Sequence, residues 1–265
     1  MNNTMGKIYN EDCLDTLKRM EDCSIDLILT SPPYNKSKPI SEYALKNHQC
    51  HYKEFDDNRS NEEYLQWILE RFNEFERVLK NDGAILFNMS YSTESSDRSE
   101  LMWLVVADVI RNTGLTIADR IIWHKSTAIP NNVSHNKLTR ICEDVFIFCK
   151  RDRFHDFHCN KKLISESITG MNIYENIQNI IYAANNDGNC EIHKATVSTH
   201  FCFQLLELYG IKKGCVYDPF MGTGTTAIAA IEYGMDYIGS EISKEYCEYA
   251  EKRIKDKESQ LSLFF

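Results

Sequence analysis

Asp26-Leu27-Ile28-Leu29-Thr30-Ser31-Pro32-Pro33-Tyr34-Asn35 starts as a short apolar run and breaks off into a loop stiffened by two prolines. A run of this length, rich in branched side chains and followed by loop formers, predicts a buried strand. Each proline removes a backbone donor, and Pro33 pushes Pro32 into an extended conformation. The loop can therefore present a bare carbonyl (Pro32), a side-chain oxygen (Ser31) and an aromatic face (Tyr34) at the carboxyl end of a strand. That end is where open α/β sheets bind ligands. Taken alone, the segment also fits a rigid turn with a packed tyrosine.

Outward from it, apolar runs at 84–87, 120–123, 145–149, 215–217 and 236–239 read as further strands. Helical spacing of apolar residues marks 62–79, with a stop at Asn81-Asp82-Gly83, and also 101–110, 201–208 and 244–254. Strands alternating with helices predict a layered α/β domain with a mostly parallel sheet. A chain of 265 residues can bury one large core and carry a smaller module. Residues 124–190, richer in Asn, Lys, His and Ser, break the alternation and read as that module.

A second loop, Asp218-Pro219-Phe220-Met221-Gly222-Thr223-Gly224-Thr225-Thr226, follows the strand at 215–217 and leads into the helix-forming Ala227-Ile228-Ala229-Ala230. Its glycines permit close backbone approach, and a helix start there would stabilise a carboxylate. Glu241, after the strand at 236–239, stands where an acid accepts hydrogen bonds from ribose hydroxyls. Gly222-x-Gly224-x-x-Ala227 fits the looser dinucleotide pattern too, so a nicotinamide enzyme competes. The preceding Asp218-Pro219-Phe220 suits a cofactor with nucleoside and amino-acid ends and no phosphates, and the Ser31-Pro32-Pro33-Tyr34 loop decides for it.

With both loops in this order, the chain resembles the DNA amino-methyltransferases in their permuted β arrangement, over nearly its whole length. The resemblance implies a Rossmann-like α/β methyltransferase fold with a mostly parallel sheet in permuted order and a small target-recognition module. It divides the chain into a catalytic half (1–123), a target-recognition region (124–190), a cofactor half (191–257) and a tail (258–265). The stretch Asn10-Glu11-Asp12-Cys13-Leu14 resembles the family's segment beside the adenine, so Asp12 would accept from the adenine amino group with Cys13 next to it. Asp218 and the run Pro219, Phe220, Met221, Gly222, Thr223, Gly224, Thr225 would surround the methionine part, and Glu241 would hold the ribose. His193 to Ser198 is similar to a family segment but lacks its two prolines and its phenylalanine; it puts Thr196, Ser198 and Thr199 near the cofactor.

The implied activity is transfer of a methyl group from S-adenosylmethionine to an exocyclic amino group in double-stranded DNA. The Ser31 oxygen and the Pro32 carbonyl would accept the amino hydrogens and favour localisation of the nitrogen lone pair, with Pro33 holding the loop and Tyr34 stacking the flipped base. Serine before Pro-Pro-Tyr favours N4 of cytosine, with N6 of adenine as the alternative. Carbon-5 methylation needs a cysteine after a proline, and no cysteine here follows one. A protein-glutamine methyltransferase would begin this motif with asparagine and place its cofactor loop earlier. An inactive DNA-binding module would be expected to have lost a motif residue, yet Ser31, Tyr34, Asp218 and Glu241 are all present.

The net charge of −9 argues against a nucleic-acid partner, but the average hides an asymmetry. From Lys125 to Lys162 eight basic residues face four acids, a surplus that predicts a phosphate-facing patch with Lys125, Asn131, Asn132, Lys137 and Arg140 on it. Ten cysteines without a Cys-x-x-Cys pair read as free thiols, and His155, His158 and Cys159 match no zinc spacing, so no metal is expected. The start of the chain has no basic-then-apolar leader and the most apolar stretch, 101–110, is too short to span a bilayer, which predicts a cytoplasmic protein off the membrane. The terminal Gln260-Leu261-Ser262-Leu263-Phe264 resembles the peptide with which bacterial replication proteins bind the sliding clamp; folding back onto the core is the other reading.

Overall fold

The computed structural model describes residues 6–35, 59–92, 95–128, 130–132, 134–188 and 197–262, with Leu261 and Ser262 described by backbone only. Thr196, Leu263 and Phe264, and the side chain of Leu261, therefore lie outside the described residues. The chain runs β1 (Gly6–Tyr9), α1 (Cys13–Leu17), β2 (Ile25–Thr30), α2 (Asn61–Val78), β3 (Leu79–Met89), α3 (Ser96–Asn112), β4 (Leu115–Lys125) and β5 (Cys142–Lys150). It continues with β6 (Leu163–Glu166), β7 (Asn172–Tyr174), β8 (Ile180–Ala183), α4 (Thr199–Tyr209), β9 (Cys215–Asp218), α5 (Thr225–Tyr233), β10 (Asp236–Ser240) and α6 (Lys244–Ser262).

Eight strands form one sheet in the order β1-β10-β9-β2-β3-β5-β4-β8. All run parallel except β5, which is antiparallel to both β3 and β4. Parallel strands covered on both faces read as unbroken apolar runs, and every residue of β2 is buried. One face packs against α4, α5 and α6, where Trp123 stacks on Phe201 with ring centroids 4.1 Å apart. The other packs against α1, α2 and α3, where Phe72 meets Phe75, Phe87 and Phe148 edge-on. Each such fully buried side chain contributes about 1.5–3 kcal/mol.

Helix α2 shows how local chemistry places an element. Ser60 and Glu63 cap its start reciprocally, side chain to backbone at 3.1 Å and 2.9 Å. Tyr64, Ile68, Phe72 and Phe75 then line its buried stripe. It ends at Val78, before the expected stop at Asn81-Asp82-Gly83, because Leu79 already pairs with Ile25 in the sheet. Lys80 to Gly83 bulge out before Ala84 pairs with Leu27, and a Cβ on Gly83 would stand 2.8 Å from the Asp26 carbonyl.

The span 124–190 is not set apart from the sheet as expected. It supplies β5 and β8; among its described residues, those between β4 and β5, those of 151–179, which carry the hairpin β6–β7, and those of 184–188 lie outside the sheet. Among the described residues no helix is long and apolar enough to cross a membrane, and no three potential ligand side chains gather as a metal would need.

Candidate active site

The connections reverse direction between β2 and β9: from β2 the chain moves outward to β3 and then β4, and from β9 it moves the other way to β10. These two neighbours are in register at Leu27–Val216 and Ile28–Tyr217, so the loops that follow them emerge side by side. A crevice at such a switch point is the ligand site of open α/β sheets. Both motif loops stand there, tied by Thr30 Oγ1, which donates to Asp218 Oδ1 at 3.3 Å.

The first loop is held from below. The Tyr64 hydroxyl donates to the Pro33 carbonyl at 2.6 Å. Asn35 is buried with a left-handed φ of 53°, and its amide group exchanges two 2.9 Å hydrogen bonds with the backbone of Arg59. A non-glycine residue in that region is strained and needs such anchoring. The Tyr34 hydroxyl is held as well: Ser31 Oγ and Asn88 Oδ1 lie 2.9 Å away and Glu143 Oε2 lies 3.2 Å away. Glu143 in turn pairs with Lys125. Lys125, expected on a phosphate-facing patch, is turned inward by that pair and lies over the Trp123 ring at 4.7 Å. Glu143 had no signal in the sequence, and nothing there joined it to Asn88: Asn88 sits at the carboxyl end of a parallel strand, Glu143 at the amino end of the antiparallel one, and only that reversal brings them together.

The second loop is held by its own buried groups. Asp218 accepts from Thr226 Oγ1 at 2.6 Å and from the Phe220 amide at 3.0 Å, as well as from Thr30. Burial pushes its carboxyl up to about 6 despite these three bonds. Met221 packs under the loop against Gly239, and Pro219 directly follows the β9 strand. Gly224 starts α5 at φ 84°, where a Cβ would stand 2.9 Å from the Ala250 Cβ, so only glycine closes this turn. No side chain caps α5, which leaves its first amides available to a carboxylate. Arg253 binds the Thr223 carbonyl at 2.8 Å, reaches the hydroxyls of Thr223 and Thr225, and pairs with Asp187 at 3.2 Å. Asp187 accepts from the amide and hydroxyl of Thr199, while Ser198 caps α4.

Glu241 accepts from the amides of Gly222 at 2.9 Å and Ser243 at 2.8 Å, which sets it at the mouth of the loop. Asp12 caps α1, and both its oxygens are gripped by the guanidinium of Arg71 at 3.1 Å and 2.8 Å. Arg71 is buried, stacks on Trp67 at 4.0 Å and has an Nε with no partner. Trp67 lies 5.5 Å from the Phe220 ring. Cys13 is buried beneath, its thiol pushed up to about 12 by desolvation. An aromatic pair, two acidic acceptors and an uncapped helix start are the donor and acceptor set that an adenosine joined to an amino acid requires.

Of the expected DNA residues, Lys137 and Arg140 are exposed on the 126–141 loop, which leaves β4 beside the active site. Asn131 closes that loop: its amide binds Thr139 Oγ1 at 3.0 Å and its side chain the Lys137 carbonyl at 3.2 Å; Asn132 is exposed beside it. Arg140 binds the Tyr91 carbonyl. The rest of the basic surplus is elsewhere. Antiparallel β5, nine residues or about 30 Å long, carries the chain to the opposite end of the sheet. There the Arg151 amide binds the Gly114 carbonyl at 2.8 Å, and Asn160, just before Lys161 and Lys162, is tied to Leu208 and Gly210.

A family model described as DNA methylase matches residues 25–252. The type II methyltransferase M.BglII of Bacillus subtilis is 27% identical over 262 residues, 93% of this chain and 68% of that one. The orphan methyltransferase M.BamHII of Bacillus amyloliquefaciens is 27% identical, covering 89% of this chain and 90% of its own. In structure the chain is similar to the PvuII DNA methyltransferase (cytosine-N4-specific), with a TM-score of 0.69 at 19% identity over 96% of this chain and 91% of that one. It is also similar to the M1.HpyAVI–SAM complex, with a TM-score of 0.62 at 20% identity over 94% and 99%. The motif loops meet at the switch point and the family model spans most of the chain: it belongs to the DNA methylase family of N6-adenine and N4-cytosine amino-methyltransferases, which use S-adenosylmethionine.

Proposed function

We propose that the protein methylates the exocyclic N4 amino group of cytosine in double-stranded DNA, with the target base turned out of the helix into the crevice. The observation that carries this reading is the meeting of Ser31 and its prolines with the Asp218–Thr225 loop at the Thr30–Asp218 contact. An exocyclic amine is a poor nucleophile because its lone pair is delocalised into the ring. Ser31 Oγ and the Pro32 carbonyl accept its hydrogens and favour the localised lone pair as the transition state develops. The cofactor supplies an electrophilic methyl on a sulfonium. Trp67 and Phe220 would flank its adenine, Asp12 and Glu241 would accept from the adenine amino group and the ribose, and the start of α5 would receive its carboxylate. Serine, a neutral acceptor where aspartate would mark an adenine enzyme, favours cytosine.

DNA approaches over the 126–141 loop, with Lys137 and Arg140 toward phosphates and Asn131 and Asn132 beside them. Incubation with methyl-labelled S-adenosylmethionine and plasmid DNA, followed by hydrolysis to nucleosides and mass analysis, should give N4-methylcytosine. N6-methyladenine would overturn the base assignment, and unlabelled DNA would favour an inactive DNA-binding module.

A further inference from the structure

Tyr34 has one hydroxyl proton, and three oxygens surround it: Ser31 Oγ, Asn88 Oδ1 and Glu143 Oε2, at 2.9, 2.9 and 3.2 Å. The Asn88 amide is oriented by its Nδ2, which donates to the Asp144 carbonyl at 3.1 Å, so its oxygen faces the tyrosine and only accepts. Glu143, ion-paired with Lys125, only accepts too. The Tyr34 proton therefore goes to Asn88 or Glu143, and its contact with Ser31 has one polarity left: Ser31 donates and Tyr34 accepts. Ser31 then has no proton to offer a substrate, and its oxygen is left as an acceptor.

On the footing that Ser31 accepts from the target amine, we propose that Glu143 is the positioning residue that sets this polarity and ends a proton path from Ser31 through Tyr34. As the amino nitrogen bonds the methyl carbon, the carbon–sulfur bond breaks and its electron pair stays on sulfur. The nitrogen then carries a surplus proton. Its N–H bond breaks toward Ser31 Oγ, the Ser31 proton passes to Tyr34 Oη, and the Tyr34 proton passes to the Glu143 carboxylate. The methylated amine, the sulfide and the carboxylic acid are all neutral at the end, and nothing is oxidised or reduced beyond the methyl transfer itself. The Glu143 side chain is 12% exposed, which gives the proton a way out to water.

Glu143→Gln keeps the size and an acceptor oxygen but cannot take a proton. In single turnover on a short duplex its methylation rate should fall about 100-fold, with the affinities for S-adenosylmethionine and DNA unchanged. Tyr34→Phe breaks the path without touching the Lys125 pair, so it should lose as much, and the double variant should lose no more. The wild-type rate should slow in heavy water and the Glu143→Gln rate should not. If Glu143→Gln lowers cofactor affinity, Tyr34→Phe decides. A Glu143→Gln enzyme at wild-type rate, or losses that add, overturns the path while leaving amino-methyl transfer standing, provided Ser31→Ala is inactive. A wild-type protein that methylates no DNA amine overturns the function and the path together.

Discussion

The two ends of the sheet hold similar kinds of side chain and do different things. At the carboxyl end of the parallel strands, buried acids and hydroxyls are locked into the Thr30–Asp218 and Tyr34–Asn88–Glu143 bonds, and two loops meet at a switch point. The opposite end has a cleft of about 870 Å³ where Cys23, Asn81, Lys150 and Arg151 stand among Asp22, Glu76 and Asp152. It is charged and concave, but its cations are spent on local bonds: Lys150 on Cys23 and Asn81, Arg151 on the carbonyls of Ile110 and Leu115. Concavity and charge do not make this kind of site. Loops from adjacent strands at a reversal of connection do, because only there do two backbones diverge and leave room for a ligand.

The sharpest way to break this contrast is Ser31→Ala. Turnover on duplex DNA should fall about 100- to 1,000-fold, roughly 3–4 kcal/mol, with the cofactor dissociation constant unchanged by calorimetry. Lys161→Glu, at the far end, should change neither. Wild-type turnover in the serine variant would remove the active end's claim to the chemistry.

Somewhat smaller is the effect of Asp218 on the unliganded fold. Burial raises its carboxyl to about 6, so the stability that its protonated form contributes is complete below the unfolded value near 4 and is lost as pH rises through about 6. A shift of this size corresponds to about 3 kcal/mol. Denaturant unfolding of wild type and Asp218→Asn across this range should show the wild type losing ground to the variant by up to that amount. A constant difference would mean that the carboxylate is fully compensated.

The smallest effect separates the two groups of cations. Reversing Lys137 and Arg140 to glutamate should weaken DNA binding and reduce the steepness of its salt dependence by about 2, roughly 0.9 for each phosphate no longer neutralised. Reversing Lys161 and Lys162 should leave that slope in place. Equal effects of the two pairs would return the far end to the DNA interface.

Much of the active end was legible in the chain. Prolines, glycines and a helix-forming run are local devices, so Ser31-Pro32-Pro33-Tyr34 and Asp218-Pro219-Phe220 announced loops after strands, and the structure has loops there. Partners were not legible, because a hydrogen bond between residues as far apart as Tyr34 and Glu143 leaves no periodicity. Arg71 is of the same kind: it is buried and grips Asp12, 59 positions away.

By itself the sequence determined the alternation of strands and helices, the two loops and their order, since each depends on residues adjacent along the chain. Only the tertiary structure decided which charges share a surface. The basic surplus between Lys125 and Lys162 is contiguous along the chain and divided in space, with Lys137 and Arg140 at one end of the sheet and Lys150, Arg151 and Arg153 at the other. The physical reason is β5: an antiparallel strand crosses the whole sheet in nine residues, and its direction is fixed by hydrogen bonds to β3 and β4 rather than by anything in its own composition.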